Sequence, residues 1–304
     1  MVLALFAGLM AVTPVPPSLV GRWDLTVVGS HGGYPAWFEI IETGDSLAGR
    51  FQGEFGHATA VASISIQGGR FRFVWPNEDD PKAPATVIEG RIVNRAAITG
   101  ALVPVAGARQ SFRGVRAPVL NRPAMPSWGS AIDLLQDGLA GWRVRDGKAS
   151  GWKMMNGVLT NEGPSADLIS RHLFDDFRLH LEVNIPPNGN SGIYLRGRYE
   201  VQVLDGYPQS PGSRRIGGVY GQVTPTSHPA KPAGEWQSFD ITLIGRRVTV
   251  MLNGVTIIDN VEIPGITGGA LESDEGAAGP VMLQGDHTAI QFRNIRIEPA
   301  RAGH

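Results

Sequence analysis

The sequence predicts an all-β protein, a small up-and-down barrel followed by a two-sheet antiparallel sandwich. Three observations carry this prediction. Short segments alternate apolar and polar residues with a period of two, as in Phe71-Arg72-Phe73-Val74 and Phe177-Arg178-Leu179-His180-Leu181-Glu182-Val183. Gly 40 and Pro 22 among 304 residues supply turns and weaken helix interiors. Helical periodicity is not sustained over any stretch.

Residues 19–117 read as the barrel. The runs LVGRWDLTVVG, AWFEIIE, LAGRFQG, AVASISIQ, RFRFVWP, TVIEGRIV, AAITGALVP and RQSFRGVRA follow at short intervals. Turn signals such as Thr43-Gly44-Asp45 and Gln67-Gly68-Gly69 separate them. A meander of this length removes its edges by closing on itself. Its opening Gly21-Arg22-Trp23 resembles the G-x-W start of lipocalin-like barrels, where the tryptophan is structural. This region shows no catalytic constellation and reads as an accessory domain.

Residues 118–127 carry prolines without strand alternation and read as a linker. Residues 128–300 then contain strands at Trp142–Val144, Gly157–Thr160, Phe177–Val183, Gly192–Arg196, Tyr199–Leu204, Gln237–Ile244, Arg247–Leu252, Thr256–Asp259, Val281–Gln284 and Ile290–Ile297. That number of strands predicts a jelly-roll sandwich. Asn253-Gly254 is suited to the positive φ angles of a type I′ hairpin turn.

Composition excludes several chemistries. Cysteine is absent, which rules out disulfides, thiolate catalysis and Cys-ligated zinc. A formal net charge of -1, with only short basic clusters at Arg143–Arg145 and Arg214–Arg215, argues against nucleic acid as a partner. Val2–Val12 is apolar but too short to span a bilayer as a helix. Together with Met1 and the Pro-rich stretch up to residue 18, it reads as a signal peptide without the usual basic start, and periplasmic or secreted localisation is the expectation. The alternatives are a misplaced gene start or a hydrophobic first strand.

Six ordered motifs run through the second region. They are Asn188-Gly189-Asn190-Ser191-Gly192-Ile193-Tyr194-Leu195-Arg196; Tyr199-Glu200-Val201-Gln202-Val203-Leu204-Asp205; Ala230-Lys231-Pro232 with Gly234-Glu235-Trp236; Leu252-Asn253-Gly254-Val255; Leu283-Gln284-Gly285-Asp286-His287; and Phe292-Arg293-Asn294-Ile295-Arg296-Ile297. The series resembles the bacterial 3-keto-disaccharide hydrolase family, whose domain is similar in fold to laminarinases and concanavalin. The resemblance implies cleavage of glycosides already oxidised to a ketone at sugar carbon 3, by an elimination route.

The residues themselves bound the chemistry. With Val201 and Val203 in the core, Glu200 and Gln202 face the opposite side of their strand, and Asp205 joins them only through a bulge. Laminarinase-like hydrolases carry E-x-D-x-x-E on the equivalent strand; this chain has Glu200-x-Gln202-x-x-Asp205. A retaining glycosidase needs two carboxyls about 5–5.5 Å apart, so the amide at 202 counts against that mechanism. A 3-keto sugar needs instead a base for the acidified C2 hydrogen, a donor or cation for the enolate and an acid for the leaving group. Glu200 and His287 are the candidate bases, with Asp205 a third catalytic candidate and Asp286 placed to orient His287. Arg196 and Lys231 are candidate cations for the enolate or for sugar hydroxyls. Tyr194, Tyr220, Gln202, Gln284 and Asn190 are candidate sugar binders, and Tyr220 is also a candidate acid. A divalent metal on Glu200, Asp205 or His287 would stabilise an enolate too, although no ligand spacing requires it. The rival reading is a carbohydrate-binding protein without turnover.

Overall fold

The computed structural model describes residues 18–29, 32–76, 82, 84–122, 126–147, 149–206 and 210–301. The signal-peptide reading of Val2–Val12 falls outside them. Among the described residues no helix is long and apolar enough to cross a membrane.

The first region is a single antiparallel sheet of nine strands. They are β1 (Gly21–Gly29), β2 (Gly32–Thr43), β3 (Ser46–Gln52), β4 (Thr59–Ala60), β5 (Ala62–Gln67), β6 (Arg70–Trp75), β7 (Thr86–Ile92), β8 (Ala97–Val103) and β9 (Gln110–Arg116). Their order is β4-β3-β2-β1-β9-β8-β7-β6-β5. The two edge strands β4 and β5 are separated in the chain by Val61 alone, and Val61 N–H donates to Gly49 O of β3 (3.0 Å). One continuous segment thus meets both edges, and the sheet curls into a nearly closed barrel. Trp23, Leu25, Val27, Phe38, Phe73 and Phe112 fill its inside. Trp23 donates to Leu19 O (2.9 Å), and the Arg116 guanidinium lies 4.2 Å from its ring centroid.

The second region is a sandwich of two antiparallel sheets. Its strands are β10 (Ile132–Asp133), β11 (Trp142–Val144), β12 (Trp152–Met155), β13 (Val158–Asn161), β14 (Leu168–Ser170), β15 (Phe177–Asn184), β16 (Asn190–Leu195), β17 (Tyr199–Leu204), β18 (Trp236–Ile244), β19 (Arg247–Leu252), β20 (Val255–Glu262), β21 (Met282–Leu283) and β22 (Ile290–Pro299). One sheet runs β12-β13-β22-β15-β18-β19-β20, with β10 beside β22; the other runs β11-β14-β21-β16-β17. Their inner faces share a core that includes Phe177, Leu179, Leu181, Val201, Val203, Phe239 and Phe292. Asn253 (φ 51°) and Gly254 (φ 79°) form the expected tight turn between β19 and β20.

The two regions are docked through the segment following β20. Trp37 of β2 points away from the barrel interior, is fully buried in the sandwich core, and donates to Ile266 O (2.8 Å). Arg22 of β1 pairs with Glu275 and donates to Pro264 O. Glu275, also fully buried, accepts a hydrogen bond from Tyr199 Oη (2.6 Å). The proline-containing joint is held as well, for Arg122 pairs with Asp175 at 2.8 Å.

Candidate functional site

Glu200 stands on β17 with Val201 and Val203 turned into the core, so strand alternation puts Glu200 and Gln202 on the opposite, outer face. Cross-strand register then defines what lies beside them. Arg143, Ile169, Met282, Tyr194 and Glu200 form one row across the five-stranded sheet, and Gly192 stands opposite Gln202. A further short segment extends this sheet beyond β17. Val219 bridges Val201, and Tyr220 N–H donates to Glu200 O (2.9 Å).

Glu200 is only 5% exposed and is held from three directions, two at its carboxyl and one at its backbone. Tyr194 Oη lies 3.0 Å from Glu200 Oε2 and 3.0 Å from Gly268 O. The Gln202 amide is satisfied when its nitrogen donates to Glu200 Oε1 (3.1 Å) and Ser191 O (3.2 Å). Glu200 N–H donates to Thr267 Oγ1 (2.9 Å). Only glycine fits at 192, where a Cβ would lie 2.4 Å from Glu200 Oε1. Burial pushes the Glu200 carboxyl from an ordinary 4.5 up to about 8; the Tyr194 hydrogen bond opposes this, and the charges of Asp286 and Asp167 add to it. Burial, followed by the neighbouring Glu200, drives the Tyr194 phenol well above its usual value.

A loop from Gln284 to Thr288 borders this face. Gln284 N–H donates to Gly192 O (2.9 Å), Gly285 N–H to Asp167 Oδ1 (2.9 Å), and Asn190 N–H to Thr288 Oγ1 (2.8 Å). The Gln284 side-chain oxygen is buried without a partner. Asp286 and His287 project from the loop, largely exposed, with Oδ1 and Nδ1 3.5 Å apart. The loop supplies the break in alternation that lets these adjacent residues approach each other. No hydrogen bond joins His287 to Glu200. Across the face, Arg145 pairs with Asp167 (3.2 Å) and donates to Gly269 O (3.0 Å).

Glu200, Gln202, Tyr194, Asn190 and Gln284 are thus brought onto one face, with His287 on its bordering loop. Three other expectations are corrected. No bulge carries Asp205 onto this face: β17 ends at Leu204, Asp205 N–H donates to Gly189 O, and its carboxylate accepts from Asn188 N–H (2.7 Å). Arg196 is fully buried on the other side. It follows β16 at φ 52°, which breaks alternation and turns its guanidinium toward Asp175, Tyr199 Oη and Gly245 O. Lys231 belongs to the loop before β18 in the opposite sheet, where Nζ donates to Trp236 O (3.0 Å). Among the described residues no group of three or more histidines and carboxylates is placed to hold a metal ion.

A family model described as the 3-keto-alpha-glucoside-1,2-lyase-like domain matches residues 130–298, more than half of the chain. The chain belongs to this family. The match spans the sandwich and every residue of the Glu200 face, and it leaves the N-terminal sheet outside. Among solved structures, the lyase-like domain is similar to a candidate glycosyl hydrolase from Parabacteroides distasonis, at 32% identity and a TM-score of 0.47, covering 59% of this chain and 92% of that one. A second from the same organism matches at 20% identity and a TM-score of 0.45, covering 56% and 94%. A carbohydrate-binding module from Bacillus subtilis matches at 14% and 0.36, covering 51% and 94%. No curated protein matches the chain.

Sequence reasoning missed several residues around the lyase-like face. Thr267 and Gly268 reach it from a loop that no motif marked, and Arg145 and Asp167 reach it from a neighbouring strand edge. The N-terminal sheet also contributes. His57 fits so closely over Gly221 that a Cβ there would lie 2.2 Å from His57 Cβ. A cleft of about 390 Å3 opens between the two regions at this contact. Outward-facing Trp37 was the available signal, since a large aromatic on the polar side of an alternating strand calls for a covering surface.

Proposed function

We propose that the protein cleaves 3-keto-glycosides, with Glu200 as the base that removes the C2 proton. The supporting observation is a carboxyl enclosed on the polar face of the sheet and pushed up to about 8, which is suited to proton transfer near neutral pH. The ketone at C3 acidifies the C2 hydrogen. As Glu200 takes the proton, the C–H pair forms the enolate, the enolate collapses, and the C1–O bond breaks with its electrons leaving on the aglycone oxygen. That oxygen regains a proton to leave as an alcohol. Addition of water across C1=C2 gives the free 3-keto sugar and net hydrolysis; without that addition, the enone is the lyase product.

Arg145 replaces Arg196 and Lys231 as the cation for the developing enolate oxygen. Gln202 acts as a donor that holds Glu200 in place, which accounts for an amide where laminarinase-like enzymes carry a carboxylate. Tyr220, beside Glu200 in the extended sheet, and His287, on the bordering loop, are the groups available to protonate the leaving oxygen. The nearly closed N-terminal sheet is read as a lipocalin-like accessory barrel, and the apolar Val2–Val12 segment as an export signal.

The test is to mix the purified protein with a 3-keto-glucoside and its unoxidised parent in deuterated water. The keto form alone should be cleaved, deuterium should appear at carbon 2, and Glu200→Gln should abolish both. Equal cleavage of the two substrates overturns the elimination, and binding without product points to a carbohydrate-binding protein.

A further inference from the structure

The cleft between the N-terminal sheet and the sandwich opens beside Glu200. Its walls include Phe55, His57 and Trp75 from the first region and Arg214 and Tyr220 from the second. Tyr220 connects the two places. Its backbone is hydrogen-bonded to Glu200, one strand spacing of about 4.8 Å away, while its side chain borders the cleft. We infer that this cleft is the aglycone subsite and that it takes an aromatic aglycone, so that the preferred substrate class is the aryl 3-keto-glycoside. This rests on the function proposed above.

Four observations carry the inference. Phe55 is 70% exposed, whereas Phe38, Phe51, Phe71, Phe73 and Phe112 of the same sheet are buried. A large apolar ring held out at the edge of a cleft stands where a ligand ring would cover it. Trp75 is a fixed platform, for Phe51 lies 4.6 Å from it between ring centroids and its Nε1 donates to Thr59 Oγ1 (2.7 Å). Among the described residues, the cleft is lined by no aspartate, glutamate, asparagine or glutamine, the side chains that hold sugar hydroxyls through paired hydrogen bonds. Its volume of about 390 Å3 lies within the ordinary range for small-molecule sites of about 300–1,000 Å3. Arg214 adds a cation at the wall, where a departing phenolate oxygen would be stabilised. A second sugar would find rings to stack on here but, among the described residues, no carboxylate or amide to hold its hydroxyls.

The experiment compares kcat/KM for 4-nitrophenyl, methyl and disaccharide 3-keto-glucosides, in the wild type and in Phe55→Ala and Trp75→Phe. The wild type should favour the aryl substrate over the methyl one by about tenfold or more, and Phe55→Ala should remove most of that ratio, as expected for loss of an aromatic contact worth on the order of one factor of ten. Trp75→Phe, which keeps a ring in place, should reduce the ratio less. Methyl or disaccharide substrates turned over as well as the aryl one, or an unchanged ratio in Phe55→Ala, overturns the inference. Calorimetry with unoxidised 4-nitrophenyl and methyl glucosides separates this result from the fate of the proposed function. If no keto-glycoside is cleaved, that function falls. The subsite then stands when the aryl glucoside alone binds and Phe55→Ala abolishes the binding, and it falls when the aryl glucoside does not bind.

Discussion

Glu200 is surrounded by opposing influences that separate substitutions resolve. Its carboxyl is neutral in the folded protein over a range where the unfolded chain would be ionised, from about 4.5 to about 8. The folded state therefore binds the extra proton, and this contribution to stability is complete below pH 4.5 and is lost as pH rises through 8. Glu200→Gln should unfold like the wild type at pH 4, and at pH 9 it should be more stable than the wild type by on the order of a few kcal/mol, with a higher melting temperature. Thermal melts across that range check it, and parallel curves would remove the buried-acid description. Activity should have the opposite sign, because Glu200 as the proposed base must be ionised: kcat/KM should climb with pH toward a midpoint near 8. Gly192→Ala pushes a methyl against Glu200 Oε1, and a displacement of about 1 Å costs on the order of 100-fold in rate. Circular dichroism should show the fold retained. At this scale the sequence was legible where alternation holds, as at Glu200 and Gln202 with their core-facing neighbours. It misplaced Arg196 because a left-handed backbone residue at a strand end points its side chain where period-two counting cannot reach.

Strands and loops carry a second set of consequences. The loop from Gln284 to Thr288 is fastened to β16 at two points and brings Asp286 close enough to raise the Glu200 carboxyl. Asp286→Asn removes that charge, so the midpoint of the rise in kcat/KM should move to lower pH. An unmoved midpoint would mean that burial alone sets it. Asp205 lies just past the end of β17 and fastens the turn before β16, where its carboxylate accepts from Asn188 N–H. Asp205→Ala should lower stability by about 1–2 kcal/mol, as loss of a charge-assisted hydrogen bond does, and should leave the pH midpoint in place. The long strands β15, β18, β19 and β22 were readable from sequence because one face of each is buried and the other is not, and β17 because its apolar and polar residues alternate although both of its faces are covered. Strands β14 and β21, of three and two residues, are too short to show a period. Both lie in the middle of the sheet that carries the site, so its full width emerges only from the pairing.

The whole molecule adds a constraint that neither region holds alone. Four consecutive residues from Ile266 to Gly269 cover the Glu200 face, held by the barrel at both ends and by the sandwich between them. Ile266 O accepts from Trp37, Thr267 Oγ1 from Glu200 N–H and Gly268 O from Tyr194, while Gly269 N–H donates to Glu54 O (2.8 Å). The enclosure that raises the Glu200 carboxyl thus depends on a barrel that the family match leaves out. Trp37→Ala tests this dependence. Truncating a fully buried tryptophan costs about 3–5 kcal/mol, and the fall in melting temperature reports that loss. The specific consequence lies elsewhere. With its outer anchor gone, the covering segment admits water to Glu200, and the desolvation that opposes ionisation weakens. The midpoint of kcat/KM should then shift below 8, toward the ordinary carboxylate range, in the fraction that remains folded. Tyr194→Phe is the counterpart, since it removes a donor that favours the ionised form and should move the midpoint upward. Opposite shifts from a residue in each region would establish that the barrel sets the acidity of the sandwich's carboxyl. A melting-temperature loss in Trp37→Ala with no shift would reduce the barrel to a structural brace.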